Sequence, residues 1–169
     1  MNRLLLTLTL ALTSSCGGVD DSVPGELFIA LPRDFASYSS WQSFAVNAPS
    51  APADSHTAGE RTIYLNHAPP KGSSEYPVGT IVVKVMKEEN QTFAMVKRGG
   101  GYNSRGATGW EWFELAAATD GTPAIVWRGI TPPAGERYHG VAGGACNDCH
   151  QGARSNDFVQ SEPLQLSRF

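Results

Sequence analysis

The sequence predicts an α+β domain: an antiparallel sheet of about five strands with an N-terminal helix and a short C-terminal helix. Two observations support this prediction. Several short runs rich in β-branched and aromatic residues lie between positions 61 and 127, separated by turn-forming segments. Helix-like patterns occur only before and after these runs. The chain has 169 residues, which is enough for one domain of ordinary size.

Pro32 opens the first element, a helix-like stretch. Its aromatic residues recur at every third position and follow Leu31: Phe35, Tyr38, Trp41 and Phe44. Such a stripe either packs in the core or forms a pocket wall, and we favour core packing. Residues 47–60 are rich in Ala, Pro and Ser and are expected to form a loop.

The strands are expected next. Their ranges are Arg61–Asn66, Thr80–Met86, Thr92–Lys97, Trp110–Leu115 and Ala124–Trp127. A polar turn over residues 87–90 joins the second strand to the third, which predicts a hairpin with a longer loop. Pro132 and Pro133 end the β region.

The most specific motif lies near the C-terminus: Cys146-Asn147-Asp148-Cys149-His150, a CxxCH sequence. This spacing is the attachment signal of a c-type haem. Two thiols add across the two vinyl groups of one porphyrin, and the adjacent imidazole becomes an axial iron ligand. We therefore expect one covalent haem c, held by Cys146 and Cys149, with His150 on the iron and the motif on the short C-terminal helix.

Other functions of a CxxC pair fit less well. A structural zinc site usually has a second pair of Cys or His ligands, and the sequence has none. A thioredoxin-like redox pair would follow a strand in a βαβ unit. Here a glycine-containing run over residues 140–145 precedes the motif.

The N-terminus predicts export. Arg3 precedes an apolar stretch, Leu4–Leu12, that is too short to span a bilayer. Cys16 follows it and resembles the acylated cysteine of a bacterial lipoprotein, with Thr13 departing from that pattern; plain secretion is the alternative. We predict a lipoprotein-type signal peptide over residues 1–15, a polar tether over 16–25 and the haem domain over 26–169. The protein would then be periplasmic, with a lipid anchor to a membrane at Cys16.

The charge balance is mildly acidic, with 13 Lys and Arg against 16 Asp and Glu and a formal net charge of -3. This balance gives no reason to expect nucleic acid as a partner.

Lys84 stands out in the second expected strand, because this strand is apolar on both faces. On a period of two, Lys84 shares a face with Val82 and Met86. A buried ammonium is costly unless it is paired or neutralised. The alternative is an edge-strand lysine that discourages aggregation, and periodicity alone does not choose between the two.

Several segments resemble the cytochrome P-460 family, in that family's order. They are LPRDFASYSSW, ERTIYLN, YPVGTIVVKV, WEWFEL, CNDCH and NDFVQS, and they span most of the mature chain. The family consists of exported c-haem proteins with a five-stranded antiparallel sheet and a C-terminal CxxCH. The resemblance implies that Cys146 and Cys149 form the thioethers, that His150 is the proximal ligand and that Lys84 is bonded covalently to the edge of the haem macrocycle.

The resemblance also implies an activity, because the family is known for oxidising hydroxylamine, with nitric oxide chemistry close by. The chain is therefore a candidate hydroxylamine or nitric oxide oxidoreductase with a cytochrome as redox partner, and family analogy suggests a homodimer. Arg61 matches an Arg at the start of a family strand. Phe93 stands where some members have an acidic residue near the distal face of the haem, so the distal pocket is expected to include Arg61 and Phe93.

An apolar distal pocket suits a neutral gas better than proton removal from hydroxylamine. The sister group, cytochrome c′-beta, lacks the crosslink and binds nitric oxide or carbon monoxide, which makes a gas-binding protein the alternative. Glu111 and Glu114 are candidate replacements for the missing acid, and no catalytic residue is assigned.

A plain electron carrier is the remaining alternative. It needs a sixth iron ligand, usually Met or His. The candidates in the mature chain are Met86, Met95, His56, His67 and His139. No motif marks any of them as a ligand, so we expect iron with an open side.

Overall fold

The computed structural model describes residues 25–48, 59–87, 91–118, 121–135 and 146–169. Its centre is a six-stranded antiparallel sheet in which each strand pairs with the next one along the chain. The strands are β1 (Gln42–Ala48), β2 (Gly59–Leu65), β3 (Ile81–Met86), β4 (Thr92–Lys97), β5 (Trp110–Ala116) and β6 (Ala124–Gly129). One α-helix of the described residues, α1 (Cys146–Gln151), follows the sheet.

This architecture confirms an antiparallel sheet with few helices and corrects the strand count from five to six. The strand that the sequence pattern missed is β1. Its residue Phe44 lies three positions after Trp41, which made both residues look like parts of one helical stripe. In the structure Phe44 pairs with Ile63 of β2 and packs with the core on one face of the sheet.

The predicted N-terminal helix is not confirmed as one continuous element: two short 3-10 helices, Pro32–Phe35 and Tyr38–Ser40, lie before β1. Pro32 does begin the first turn, and the Asp34 carboxylate accepts a hydrogen bond of 2.7 Å from the Leu31 amide. Ser37 interrupts the segment with φ of 58°, in the left-handed region. Helix formation cannot propagate through such a residue, so the aromatic spacing does not produce a continuous helix.

The two faces of the sheet have separate hydrophobic cores. On one face, strand residues pack against the N-terminal segment, including Ala30 and Phe35. We call it the opposite face, because it lies opposite the cavity described below. Tyr38 and Trp41 also pack there, so these aromatic residues serve the core as predicted. On the face called here the cavity face, strand residues pack against the C-terminal segment, including Val159 and Leu164.

The C-terminal segment has little regular structure and is held by side-chain hydrogen bonds. Three 3-10 turns follow α1: Arg154–Asn156, Glu162–Leu164 and Leu166–Arg168. Buried Asn156 donates to the carbonyls of Val159 (2.7 Å) and Leu164 (3.0 Å) and accepts from the Leu166 amide (2.7 Å). These bonds satisfy backbone groups that have no ladder partner, which a buried irregular segment requires.

A charged cluster lies on the opposite face. Glu111 is only 2 % exposed, and its carboxylate accepts hydrogen bonds from Arg98 (3.1 Å) and Arg128 (2.7 and 2.8 Å). Two guanidinium groups therefore compensate the buried carboxylate. No helix among the described residues has the length and apolar character needed to cross a membrane.

Candidate functional site

Helix α1 presents the CxxCH motif and is held in place by Asn147, one of the two variable residues of that motif. The side-chain oxygen of Asn147 accepts hydrogen bonds from Asn103 Nδ2 (2.7 Å), Trp112 Nε1 (3.1 Å) and the Ala107 amide (3.2 Å). Its Nδ2 donates to Asn103 Oδ1 (3.0 Å) and to the Ile130 carbonyl (3.2 Å). Asn147 thus connects α1 to β5 and to the glycine-rich loop that precedes it.

The same loop contacts the end of α1. Gln151 donates from Nε2 to the Gly106 carbonyl at 3.1 Å. Sequence reasoning missed the roles of Asn147 and Gln151, because neither residue type is fixed by the CxxCH signal. Both roles depend on a contact between α1 and the loop over residues 99–109, which lie about forty positions apart in the sequence.

His150 is oriented by one backbone carbonyl. Its Nδ1 lies 2.6 Å from the Phe158 oxygen, and because a carbonyl only accepts, Nδ1 must carry the proton. Nε2 is then the nitrogen that this bond leaves for coordination. Burial lowers the pKa of His150 to about 4, although the Phe158 hydrogen bond acts in the other direction. A neutral imidazole with a fixed tautomer is the form that binds a metal.

Trp112 supports the His150 ring. The two ring centroids are 4.5 Å apart and the ring planes are inclined at 45°. Because Trp112 also donates to Asn147, one side chain of β5 contacts two residues of the CxxCH motif.

Both motif cysteines are free thiols in the structure. Cys146 is half-buried, and burial raises the pKa of its thiol to about 11. Cys149 is exposed, with Gln160 Nε2 at 3.3 Å from its Sγ and in contact with its carbonyl oxygen. The two cysteines are thus not consumed by a structural disulfide and remain available for covalent chemistry.

A cavity lies between the cavity face of the sheet and the C-terminal segment. Its empty space, including the part open to solvent, is about 930 Å³. The lining brings together the predicted site residues Arg61, Lys84, Phe93, Cys146, Cys149 and His150. Apolar side chains complete much of the wall, including Ile63, Val82, Met95, Trp127 and Val159.

The sheet register arranges the cavity floor in two rows. Val82, Met95 and Trp112 are cross-strand partners and form the row beside His150. Ile63, Lys84 and Phe93 form the next row, two residues along each strand. His150 contacts Trp112 in the first row. Lys84 and Phe93 belong to the second row, which is about 6.6 Å further along the strands.

Lys84 lies on β3, in the interior of the sheet, so the edge-strand alternative is wrong. Its Nζ is 5.4 Å from the centroid of the Phe93 ring, a distance at which a cation interacts with a ring face. Its positive charge also acts on the motif: it adds to the burial that lowers the pKa of His150, and it opposes the burial that raises the pKa of Cys146. Lys84 faces the cavity because side chains alternate along a strand and Lys84 lies two residues after Val82, which also lines the cavity.

Arg61 and Phe93 both line the cavity, and burial lowers the pKa of Arg61. No Asp or Glu is among the described residues of the lining. Of the two candidate acids, Glu111 lies on the opposite face with its two arginines, which excludes it from the cavity. Glu114 pairs with Phe93 across the strands, and its carboxylate accepts a 2.9 Å hydrogen bond from the Trp127 indole.

The candidate sixth ligands are separated by the fold. Met95 lines the cavity in the row beside His150, whereas Met86 belongs to the core and does not line the cavity. His67 is exposed, with its ring 3.4 Å from the Thr80 hydroxyl. His56, His139 and the predicted lipidation residue Cys16 lie outside the described residues.

Within the described parts of the chain, no three His, Cys, Asp or Glu side chains form a group that could hold a metal ion by themselves.

No protein-family model matches the chain, and neither the curated proteins nor the solved structures contain a match to it.

Proposed function

We propose that this chain is an exported c-type cytochrome with one covalent haem that presents its iron to a small nitrogenous ligand, hydroxylamine or nitric oxide. The observation that carries the proposal is a single cavity lined by Cys146, Cys149, His150 and Lys84. These residues come from two distant parts of the sequence, and the CxxCH motif and the resemblance to cytochrome P-460 selected them.

The residues of the cavity fit a haem. Two free thiols separated by two residues supply the thioether positions, and an imidazole with Nδ1 occupied supplies the axial nitrogen. Apolar and aromatic walls suit the macrocycle, while the cation of Arg61 suits its anionic propionates. The cofactor would supply the redox-active iron on which the small ligand binds.

The chain's own residues would then have distinct roles. His150 would hold the iron and be kept neutral by burial. Trp112 and Phe158 would fix the angle of its ring. Lys84 and Phe93 are in the second row, so they would lie toward the edge of the macrocycle and toward the side on which the small ligand binds.

Turnover separates an enzyme from a binding protein. The first measurement is oxidation of hydroxylamine by the haem-loaded protein with an added electron acceptor. If the protein is an enzyme, Glu114 is the candidate proton acceptor that remains after Glu111 is excluded, and Glu114→Gln should lower kcat by about 100-fold or more. The exposed carboxylate of Glu75 provides the matched control, since Glu75→Gln should leave kcat unchanged.

A gas-binding protein is the second candidate, and the lack of a carboxylate in the described cavity lining favours it. Under this alternative the protein binds nitric oxide reversibly and does not consume hydroxylamine above the background rate. Binding without turnover would therefore assign the chain to the gas-binding alternative, and failure of both would contradict the proposal.

An electron carrier would need a sixth ligand, and Met95 is the one methionine among the described lining residues. Met95 lies opposite Trp112, which contacts His150, so we place it on the same side as the axial histidine. We expect the ferric resonance spectrum to show five-coordinate or water-bound iron, and Met95→Leu to leave it unchanged. A low-spin spectrum that Met95→Leu abolishes would favour the electron carrier.

A further inference from the structure

The Phe158 carbonyl that accepts from His150 belongs to a segment with an unusual backbone. Asp157 has φ of 48° and Phe158 has φ of 64°, so two successive residues with side chains lie in the left-handed region. This region is unfavourable for residues other than glycine, and bulky residues adopt it rarely. Such a conformation persists only where the surrounding structure holds it in place.

A buried ion pair supplies that hold. Lys97 Nζ lies 2.7 and 2.8 Å from the two carboxylate oxygens of Asp157. The side chains of Lys97 and Asp157 are only 6 % and 7 % exposed. Asp157 Oδ2 also accepts a 2.9 Å hydrogen bond from the Tyr76 amide. The carboxylate is thus fixed from two directions by parts of the chain that precede it by at least sixty residues.

The neighbouring backbone is fixed as well. The Phe158 amide donates to the Ala153 carbonyl at 2.8 Å, and the Val159 amide donates to the Asn156 carbonyl at 3.1 Å. The peptide that contains the Phe158 oxygen therefore has little freedom to rotate, and that oxygen lies 2.6 Å from His150 Nδ1.

We propose that the buried Lys97–Asp157 ion pair is a positioning device for His150, acting through the Phe158 carbonyl. The inference rests on the proposed function, since it treats His150 as the iron ligand. Neither Lys97 nor Asp157 lines the cavity, so both act at a distance. A hydrogen bond to the second ring nitrogen sets the tautomer and raises the basicity of a metal-bound imidazole.

The remaining charged group near Lys97 offers a control. Glu75 Oε2 is 3.6 Å from Lys97 Nζ, but the Glu75 side chain is 72 % exposed. Its contribution is expected to be small. Removing the Glu75 charge should therefore leave His150 unaffected, whereas removing the Asp157 charge should not.

The experiment uses the haem-loaded protein and begins with the mass of the denatured chain, which reports haem attachment. The second readout is the iron–histidine stretching band of the ferrous protein in resonance Raman spectra. Asp157→Asn and Lys97→Met should each shift this band to lower frequency, because the imidazole becomes less basic when the Phe158 bond loosens. Lys97→Arg should restore it, and Glu75→Gln should leave it at the original frequency.

The variant Val83→Ala tests whether general destabilisation alone could shift the band, because it leaves a cavity at a buried site on the opposite face. This variant should lower the unfolding midpoint without moving the band. The proposal is overturned if Asp157→Asn keeps the haem and the original band, or if Val83→Ala shifts the band equally. If Asp157→Asn does not accumulate, Lys97→Met and Lys97→Arg provide the same comparison. Absence of the haem mass from the unaltered protein would instead overturn the proposed function.

Discussion

Gly106 leaves the space that the Asn147 side chain fills. A Cβ added at Gly106 would lie 2.3 Å from Cγ of Asn147, closer than two non-bonded carbon atoms can approach. Asn147 in this position forms five hydrogen bonds to the loop, to β5 and to the Ile130 carbonyl. The absence of a side chain at one position thus determines how the CxxCH helix docks on the sheet.

The first prediction concerns this contact. Gly106→Ala should displace the Asn147 side chain and lower the free energy of unfolding by about 1–3 kcal/mol, through overpacking and lost hydrogen bonds. Asn147→Ala should have an effect of similar size, and the double variant should cost less than the sum, because both changes remove the same contact. Urea unfolding of the haem-free chain measures these values. The exposed control Ser155→Ala should stay within about 0.5 kcal/mol, and additive effects would contradict the coupling.

The second prediction concerns attachment. When the chain is produced with a haem-attachment system, mass spectrometry under denaturing conditions should show one added haem. Replacing Cys146 and Cys149 together with Ser should remove that mass, because no thiol of the motif remains to form a thioether. Cys16→Ser is the matched cysteine control and should retain the haem. An unaltered chain without the added mass would contradict the prediction.

The third prediction concerns Lys84. A bond from its Nζ to a carbon of the macrocycle edge would replace one N–H and one C–H and release two protons and two electrons, which an oxidant such as a peroxide must take up. The bond would lower the symmetry of the macrocycle and move the main band of the reduced spectrum to the red. Lys84→Arg should restore an ordinary c-haem spectrum while both thioethers remain.

Lys87 provides the control for this experiment, because it directly follows the same strand but is exposed and pairs with Glu60. Lys87→Arg should leave the spectrum shifted. An ordinary spectrum in the unaltered protein, together with an unmodified Lys84 peptide after digestion, would place the chain with the gas-binding alternative.

The fourth prediction concerns anchoring. If Cys16 becomes the acylated N-terminus, the exported protein should sediment with membranes, since two or more acyl chains suffice for stable anchoring. Cys16→Ser should move it to the soluble fraction, and Ser22→Ala in the tether should not. Recovery of the unaltered protein in the soluble fraction after export would favour plain secretion.

The sequence by itself determined the parts of the protein that depend on local chemistry. Five strands followed from β-branched and aromatic runs, and their observed bounds differ from the predicted ones by only a few residues. The spacing of CxxCH selected three residues, and the two-residue period of a strand put Lys84 with Val82 on one face. Each inference uses residues that are neighbours along the chain.

Only the tertiary structure decided which distant residues meet. Strand order put Lys84 at the centre of the sheet and not at its edge, and register put Glu114 beside Phe93 but Glu111 on the opposite face. The missed strand β1 is stabilised by its pairing with β2, a long-range contact that outweighs local helical spacing. The fit of Asn147 against Gly106 has no local signal, because it depends on an excluded volume between two segments that meet only after the chain has folded.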